Sequence, residues 1–138
     1  LMFHTEAAFH PHRPRFLLLL CLRGDPAART TLASIHDLLP SLPARTRRVL
    51  FERRFRTAAD ESYVGSRPHQ LGAPTAVLAG PWDDPTMVFD ADLMVGVDRE
   101  ADEALLQLFH RRFLRYKMLC GPEGSAMARH EPIQKFGS

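Results

Sequence analysis

Cysteine, long apolar runs and an excess of one charge are all scarce in this sequence. Cys21 and Cys120 are the only cysteines, and two thiols so far apart predict a reduced cytoplasmic protein better than a disulfide framework. The longest apolar run, residues 16–22, is much shorter than the roughly 20 residues of a membrane-spanning helix. Arg-Gly-Asp follows it, where a signal peptide would have small residues. We therefore expect neither a disulfide-rich secreted protein nor a membrane-spanning one.

The charges are nearly balanced. The 138 residues include 18 basic and 16 acidic side chains, a formal net charge of +2. No general electrostatic attraction therefore compels binding to nucleic acid or to an anionic membrane, and neither is expected as a partner. The length allows one domain at most, and 45% of hydrophobic residues is enough for a real core.

The order of apolar and turn-forming residues predicts a mainly β chain with flanking helices, an α+β fold. The predicted strands cover residues 4–8, 16–22, 30–33, 53–57, 75–79 and 86–95, and the predicted helices cover 35–39, 43–51 and a longer stretch capped by Asp98. The run 16–22 is expected to be buried on both faces and to form a hairpin with 30–33. After Met118 the sequence has no periodicity and predicts a loose tail.

Near the beginning of the chain, His4 and Glu6 form an H-x-E pair, with His10 and His12 following in a loop that contains prolines. Residues two apart on an extended strand point to the same side, so this imidazole and carboxylate can reach one metal ion. With a second histidine they would complete the 2-His-1-carboxylate triad of non-haem iron oxygenases. The pattern also recurs by chance, and its other interpretation is a surface pair on a strand. For His10 and His12, exposed loop residues are the preferred interpretation.

Three stretches occur in the order in which a known enzyme superfamily has them: HTEAAFHPHRPRFLLLLCLRGDPAARTTLAS at 4–34, RFRTAADESYVG at 54–65 and MVFDADLMVG at 87–96. They resemble the Fe(II)/2-oxoglutarate-dependent oxygenases of the clavaminate synthase and TauD-like superfamily. Within it, they most resemble the asparagine and arginine β-hydroxylases of peptide-antibiotic pathways. The resemblance implies a double-stranded β-helix, a flattened jelly roll with iron at its mouth, which this chain would contain in part.

The resemblance also implies the cofactors, Fe(II) and 2-oxoglutarate, with His4 and Glu6 as metal ligands. Thr30 or Thr31 matches the threonine whose hydroxyl meets a carboxylate of 2-oxoglutarate, and its distance from Glu6 favours Thr30. The alternative for either threonine is a β-branched residue that only favours a strand.

Asp90 and Asp92 match the FDxD acids that hold the distal group of the amino-acid substrate in the hydroxylases. On a strand over 86–95 both carboxylates would face one side. A solvent-facing pair at a strand edge is the other interpretation. The implied activity is hydroxylation of an amino acid or an amino-acid-derived substrate.

The last part of the chain departs from the family. There, family members have a strand with Asp-Asn, then His-Gly-Arg, and later an arginine that binds 2-oxoglutarate, and the sequence from Leu106 onward matches none of these. His110 and His130, the late histidines, do not reproduce the motif. We therefore expect a partial oxygenase core at residues 1–105 and a divergent helix end and tail at 106–138. Such a fragment would lack full activity, and its uncovered sheet edges would permit an oligomer.

Two other functions stay open. A degenerate, non-catalytic fragment or interaction module would keep the family's sequence without binding iron. A nucleic-acid binder would use the arginines at 45, 47, 48, 53, 54 and 56, but Glu52 and Asp60 interrupt this cluster and no aromatic stacking platform accompanies it. A solvated face is the better interpretation of these arginines.

Overall fold

The computed structural model describes residues 3–14, 16–18, 20, 22–24, 30–64, 70–110, 116–120 and 126–129. Its elements in chain order are β1 (Thr30–Leu32), α1 (Ile35–Leu38), α2 (Ala44–Leu50), β2 (Phe55–Thr57), α3 (Glu61–Val64), β3 (Leu78–Ala79), β4 (Thr86–Met87), β5 (Met94–Gly96), α4 (Arg99–His110), β6 (Tyr116–Cys120) and β7 (Ala126–Arg129). All the strand pairs among these elements are antiparallel. The fold combines short helices with small antiparallel sheets.

Helix α4 supplies one side of the core. Its buried residues recur every three or four positions, as an amphipathic helix requires: Ala101, Ala104, Leu105 and Leu108. The predicted cap is confirmed, because Asp98 Oδ1 accepts the N–H of Ala101 at 3.0 Å. Helix α4 packs against α2 and β5.

Strand β2 lies in the middle of the core. It pairs with β5, with Phe55 opposite Gly96. On its other side, the N–H of Phe55 donates to Thr75 O at 3.1 Å and the N–H of Thr75 donates to Phe55 O at 2.7 Å. The Phe55 side chain is fully buried and belongs to the same cluster as Phe89, so the core extends to the FDxD stretch.

The two short helices before β2 are confirmed. Helix α1 continues into a 3-10 turn at Leu39–Ser41 that contains Pro40, and α2 begins directly after Pro43. Proline is tolerated there because the first N–H groups of a helix have no partner within the helix. Among the described residues, no helix is both long and apolar enough to cross a membrane.

The described residues of the run 16–22, which are 16–18, 20 and 22, do not form the buried strand that was expected. The described members of this run have no regular structure, and Leu18 is 92% exposed and Leu22 is 89% exposed. The predicted hairpin is also absent from the described residues, where β1 is an edge strand that pairs with β6 alone, with Thr30 opposite Met118. An apolar run indicates that burial is favourable but does not specify which segment covers it.

The loose tail predicted after Met118 is wrong for the described residues there. Strands β6 and β7 form an antiparallel pair in which Cys120 lies opposite Ala126. The signal that we missed is the sequence Gly-Pro-Glu-Gly between two short apolar stretches, since such residues favour turns between paired strands.

Candidate functional site

His4 lies opposite Asp90 in a short antiparallel bridge between the beginning of the chain and the FDxD stretch. Beside the bridge, the N–H of Thr5 donates to Phe89 O at 2.7 Å. The fold therefore brings His4 of the H-x-E pair opposite Asp90, one of the two predicted substrate-binding acids, although more than half of the sequence separates them.

The side chains of His4 and Glu6 approach each other to 3.5 Å, measured from Nε2 to Oε1. Both are open to solvent, with 32% and 48% of the side chain exposed. They do not lie on a strand, however, because the chain turns at residues 6–9 directly after the bridge. The strand predicted over 4–8 is therefore wrong beyond His4, and the alternation of a strand is not what places this pair.

The turn after Glu6 has an unusual backbone. Ala7 has a φ of 50°, the one positive φ of a non-glycine residue within the described ranges. A side chain with a Cβ atom costs roughly 1–2 kcal/mol in this left-handed region. The chain thus adopts a costly conformation immediately after Glu6 of the H-x-E pair. Strained backbone of this kind clusters at functional sites in proteins.

Asp90 and Asp92 have different surroundings. Asp90 Oδ1 accepts two backbone hydrogen bonds, from the N–H groups of Asp92 and Leu93, each at 2.9 Å. These bonds form the turn that separates β4 from β5, so the continuous strand predicted over 86–95 is wrong. Asp92 itself is exposed. The two carboxylates therefore do not share the strand face that the sequence predicted.

The donor atoms of His4 and Glu6 fit two positions of a metal site. Neighbouring ligands on an octahedral metal, each about 2.1 Å from the ion, lie about 3 Å apart, and the observed 3.5 Å is close to that spacing. Over the part of the chain that the structure describes, no group of three or more His, Cys, Asp or Glu side chains is arranged to hold a metal ion. The pair fits two ligands of a facial triad, and the third is not among the described residues.

The other candidate residues lie elsewhere. Thr30 is on β1, and its side chain lies outside the described part of the structure. His10 and His12 are exposed, and His10 Nδ1 accepts the N–H of His12 at 3.0 Å. His110 is exposed at the end of α4, and His130 is outside the described residues.

Sequence reasoning missed Thr5, which stands between the two predicted ligands. Its hydroxyl donates to Phe89 O at 3.3 Å and accepts the N–H of Phe89 at 3.1 Å. The residue type was visible in the sequence, but its partner lies 84 positions away and only the tertiary structure identifies it.

Part of the arginine cluster is paired with acids. Arg54 lies 2.6 Å from Asp98, 2.9 Å from Glu100 and 3.1 Å from Glu52, and Arg45 lies 2.8 Å from Glu100. A solvated face describes Arg45, whose side chain is 84% exposed, but not Arg54, which is 24% exposed.

These ion pairs shift the titration of the groups involved. Hydrogen bonds from Arg54, and then from the N–H of Ala101, hold the pKa of Asp98 below its ordinary value. Hydrogen bonds from Arg45, and then from Arg54, lower the pKa of Glu100. The hydrogen bonds that Arg54 donates to Asp98, then to Glu100 and then to Glu52, raise the pKa of Arg54. The cluster joins the start of β2 to the start of α4 and does not include the H-x-E pair.

Comparison with known proteins gives several similar sequences, although no family model matches the chain. L-lysine 3-hydroxylase of Catenulispora acidiphila is 44% identical over 104 residues, which are 72% of this chain and 29% of that protein. L-asparagine oxygenase of Streptomyces coelicolor is 43% identical over 110 residues, covering 78% of this chain and 32% of that protein.

Among solved structures, asparagine oxygenase in complex with Fe(II), 3-hydroxyasparagine and succinate superposes with a TM-score of 0.69 and 42% identity. The match covers 78% of this chain and 34% of that one. This chain thus spans about a third of the length of the proteins that it matches. With these similarities in sequence and structure, the chain belongs to the clavaminate synthase-like family of Fe(II)/2-oxoglutarate-dependent oxygenases.

Proposed function

We propose that this chain is part of a dioxygenase that uses Fe(II) and 2-oxoglutarate to hydroxylate an amino acid or an amino-acid-derived substrate. The observation that carries the proposal is the 3.5 Å approach of His4 Nε2 to Glu6 Oε1 at a solvent-open position. In this proposal the two side chains are ligands of ferrous iron. The small antiparallel sheets of this chain would form part of the family's jelly roll.

Bound iron and 2-oxoglutarate would activate dioxygen, the oxidant, for an attack on an unactivated carbon. The succinate bound to the similar asparagine oxygenase supports this cofactor, because succinate is what remains of 2-oxoglutarate after it loses carbon dioxide and takes up one oxygen atom of dioxygen. The contribution of the chain is to position the reactants. His4 and Glu6 would hold the metal. The hydroxyl of Thr30 would donate a hydrogen bond to a carboxylate of the oxoacid.

The substrate would be held by the acids beside the metal pair. Asp92 is exposed, so its carboxylate is open to an amide or a cationic group of an amino-acid side chain. Asp90 Oδ1 accepts the two N–H groups of its turn. In this proposal Asp90 both forms the turn and faces the substrate. The bridge between His4 and Asp90 supports a substrate site next to the metal.

The alternative function is a degenerate, non-catalytic fragment or interaction module. One observation favours it: within the described residues there is no third side chain that completes a metal site. A site with two protein ligands would bind iron more weakly than a complete triad, since every ligand removed costs affinity.

We divide the chain into an oxygenase core at residues 1–105 and a divergent part at 106–138. We place the protein in the cytoplasm, without a nucleic-acid or membrane partner. Self-association would occur through uncovered sheet edges.

Anaerobic titration of the chain with Fe(II) in the presence of 2-oxoglutarate tests the enzyme proposal. The expected result is a weak metal-to-ligand charge-transfer band that disappears in His4→Ala. The matched control is His10→Ala, which removes an exposed histidine of the adjoining loop and should keep the band. The same titration of the protein from the intact open reading frame decides between the two functions: no band there would contradict the enzyme proposal and favour the non-catalytic fragment.

A further inference from the structure

Three hydrogen bonds join Thr5 to a single residue of the core. The backbone N–H of Thr5 donates to Phe89 O at 2.7 Å, its hydroxyl donates to the same oxygen at 3.3 Å, and the hydroxyl accepts the N–H of Phe89 at 3.1 Å. Both backbone groups of Phe89 are therefore bound by one threonine. Phe89 is itself fixed, because its side chain is 3% exposed and belongs to the core.

The pairing around these bonds is short. His4 and Asp90 form an isolated bridge outside the named strands, and the other described backbone bond across it runs from the N–H of Ala91 to Phe3 O at 3.0 Å. Few backbone bonds therefore fix the register here, and a slip by one residue would turn every side chain to the opposite face. A side chain that binds both backbone groups of one partner residue opposes such a slip.

We propose that Thr5 is a positioning residue whose hydroxyl fixes the H-x-E pair in register with the FDxD stretch. The inference rests on the proposed function, since it assigns Thr5 the task of holding the metal ligands beside the substrate acids. Thr5 precedes Glu6 and follows His4, so any shift of its backbone moves both donor groups. Through Phe89, the solvent-open pair is tied to the buried core.

Two substitutions separate the hydroxyl of Thr5 from its methyl group. Valine has the same branched shape as threonine but can neither donate nor accept a hydrogen bond, so Thr5→Val keeps the packing and removes the two hydroxyl bonds. Serine keeps the hydroxyl without the methyl group, so Thr5→Ser should restore the bonds. A purely space-filling role would show the opposite order, with valine better than serine.

Two measurements test the inference on the full chain. The first is hydrogen exchange of the Phe89 amide by NMR, which we expect to be at least tenfold faster in Thr5→Val and close to wild type in Thr5→Ser. The second is calorimetric titration with Ni(II), a redox-stable ion for the iron site. We expect Thr5→Val to weaken Ni(II) binding by about tenfold, as changes beside metal ligands commonly do.

Thr86→Val is the matched control. The Thr86 hydroxyl also donates to a backbone carbonyl, Ala79 O at 3.1 Å, but it lies on β4 away from the H-x-E pair. This variant should leave Ni(II) affinity unchanged. A general loss of stability would affect both valine variants, whereas a positioning role affects Ni(II) affinity in Thr5→Val alone.

The outcomes separate the two proposals. Unchanged Ni(II) affinity in Thr5→Val, with a wild-type chain that binds the ion, overturns the positioning role and leaves the proposed function standing. A wild-type chain that binds no metal overturns metal binding by the H-x-E pair in this chain, and the positioning role with it. In that case accelerated exchange at Phe89 would still establish the hydrogen bonds as a structural feature.

Discussion

The guanidinium of Arg54 donates two hydrogen bonds to the carboxylate of Asp98: Nη2 lies 2.6 Å from Oδ1, and Nε lies 3.0 Å from Oδ2. Asp98 is also the residue that caps α4. Strand β2 and helix α4 are thereby joined at their beginnings by one planar, two-point contact, a geometry that lysine could not reproduce.

This contact predicts how stability depends on pH. The pKa values of Asp98 and Glu100 are lowered in the folded chain, so their contribution is fully present above the ordinary carboxyl pKa of about 4 and is lost as the pH falls from there through the lowered folded values. In Arg54→Met this loss should be smaller, because the largest cause of the Asp98 shift is gone. The measurement is urea denaturation between about pH 3 and pH 7.

The control for Arg54→Met is Arg99→Gln, which removes an exposed pair between Arg99 and Glu103 on the same helix. Such a pair contributes little, so this variant should follow the wild-type pH profile. Identical acid profiles for Arg54→Met and wild type would show that the Arg54 contact does not contribute to folding.

At Gly96 we predict a steric clash for any residue with a Cβ atom. A Cβ atom at this position would lie 2.5 Å from the backbone nitrogen of Asp102 and 2.7 Å from the Cβ of Ala101, so β5 and α4 would have to separate. Gly96→Ala should lower the free energy of unfolding by about 1–3 kcal/mol, the usual cost of overpacking. Thermal denaturation measures it. In the control Gly72→Ala the nearest contact is 3.3 Å, to Thr57 O, and the cost should be smaller.

At Ala7 we predict that substitution by glycine raises the stability of the chain. Its φ of 50° is costly for alanine and free for glycine, so Ala7→Gly should raise the free energy of unfolding by about 0.5–1 kcal/mol. The same substitution in the first turn of α2, Ala44→Gly, should lower it by a similar amount, because glycine is a poor helix former. If both substitutions destabilise equally, the positive φ at Ala7 carries no strain.

At Asp90 we predict that the hydrogen-bond acceptor of the turn, and not the negative charge, stabilises the chain. Asp90→Ala leaves the N–H groups of Asp92 and Leu93 without their acceptor and should cost about 1–2 kcal/mol of stability. Asp90→Asn keeps an oxygen in the same place and should be nearly neutral. Urea denaturation compares them, and an equal loss in both variants would indicate that the charge, and not the turn, is what stabilises this region.

Local patterns predicted some elements well and others poorly. Helix α4 was predictable because its spacing of apolar residues and its capping Asp98 are both local signals. The strand over 86–95 was not, because Asp90 can form a turn with its own backbone, and an alternation of apolar residues does not reveal that competition. Leu18 and Leu22 were expected inside and are exposed, since the sequence does not specify what covers an apolar run.

The H-x-E and FDxD stretches occur in the order that the family has them, so the family and the residue types available for chemistry could be recognised without coordinates. Three relationships could be seen only in the folded chain: His4 lies opposite Asp90, a turn and not a strand brings Glu6 to His4, and Thr5 binds Phe89. The difference comes from separation along the chain. Local conformation follows from neighbouring residues, whereas contacts across more than 80 positions depend on how the whole core packs.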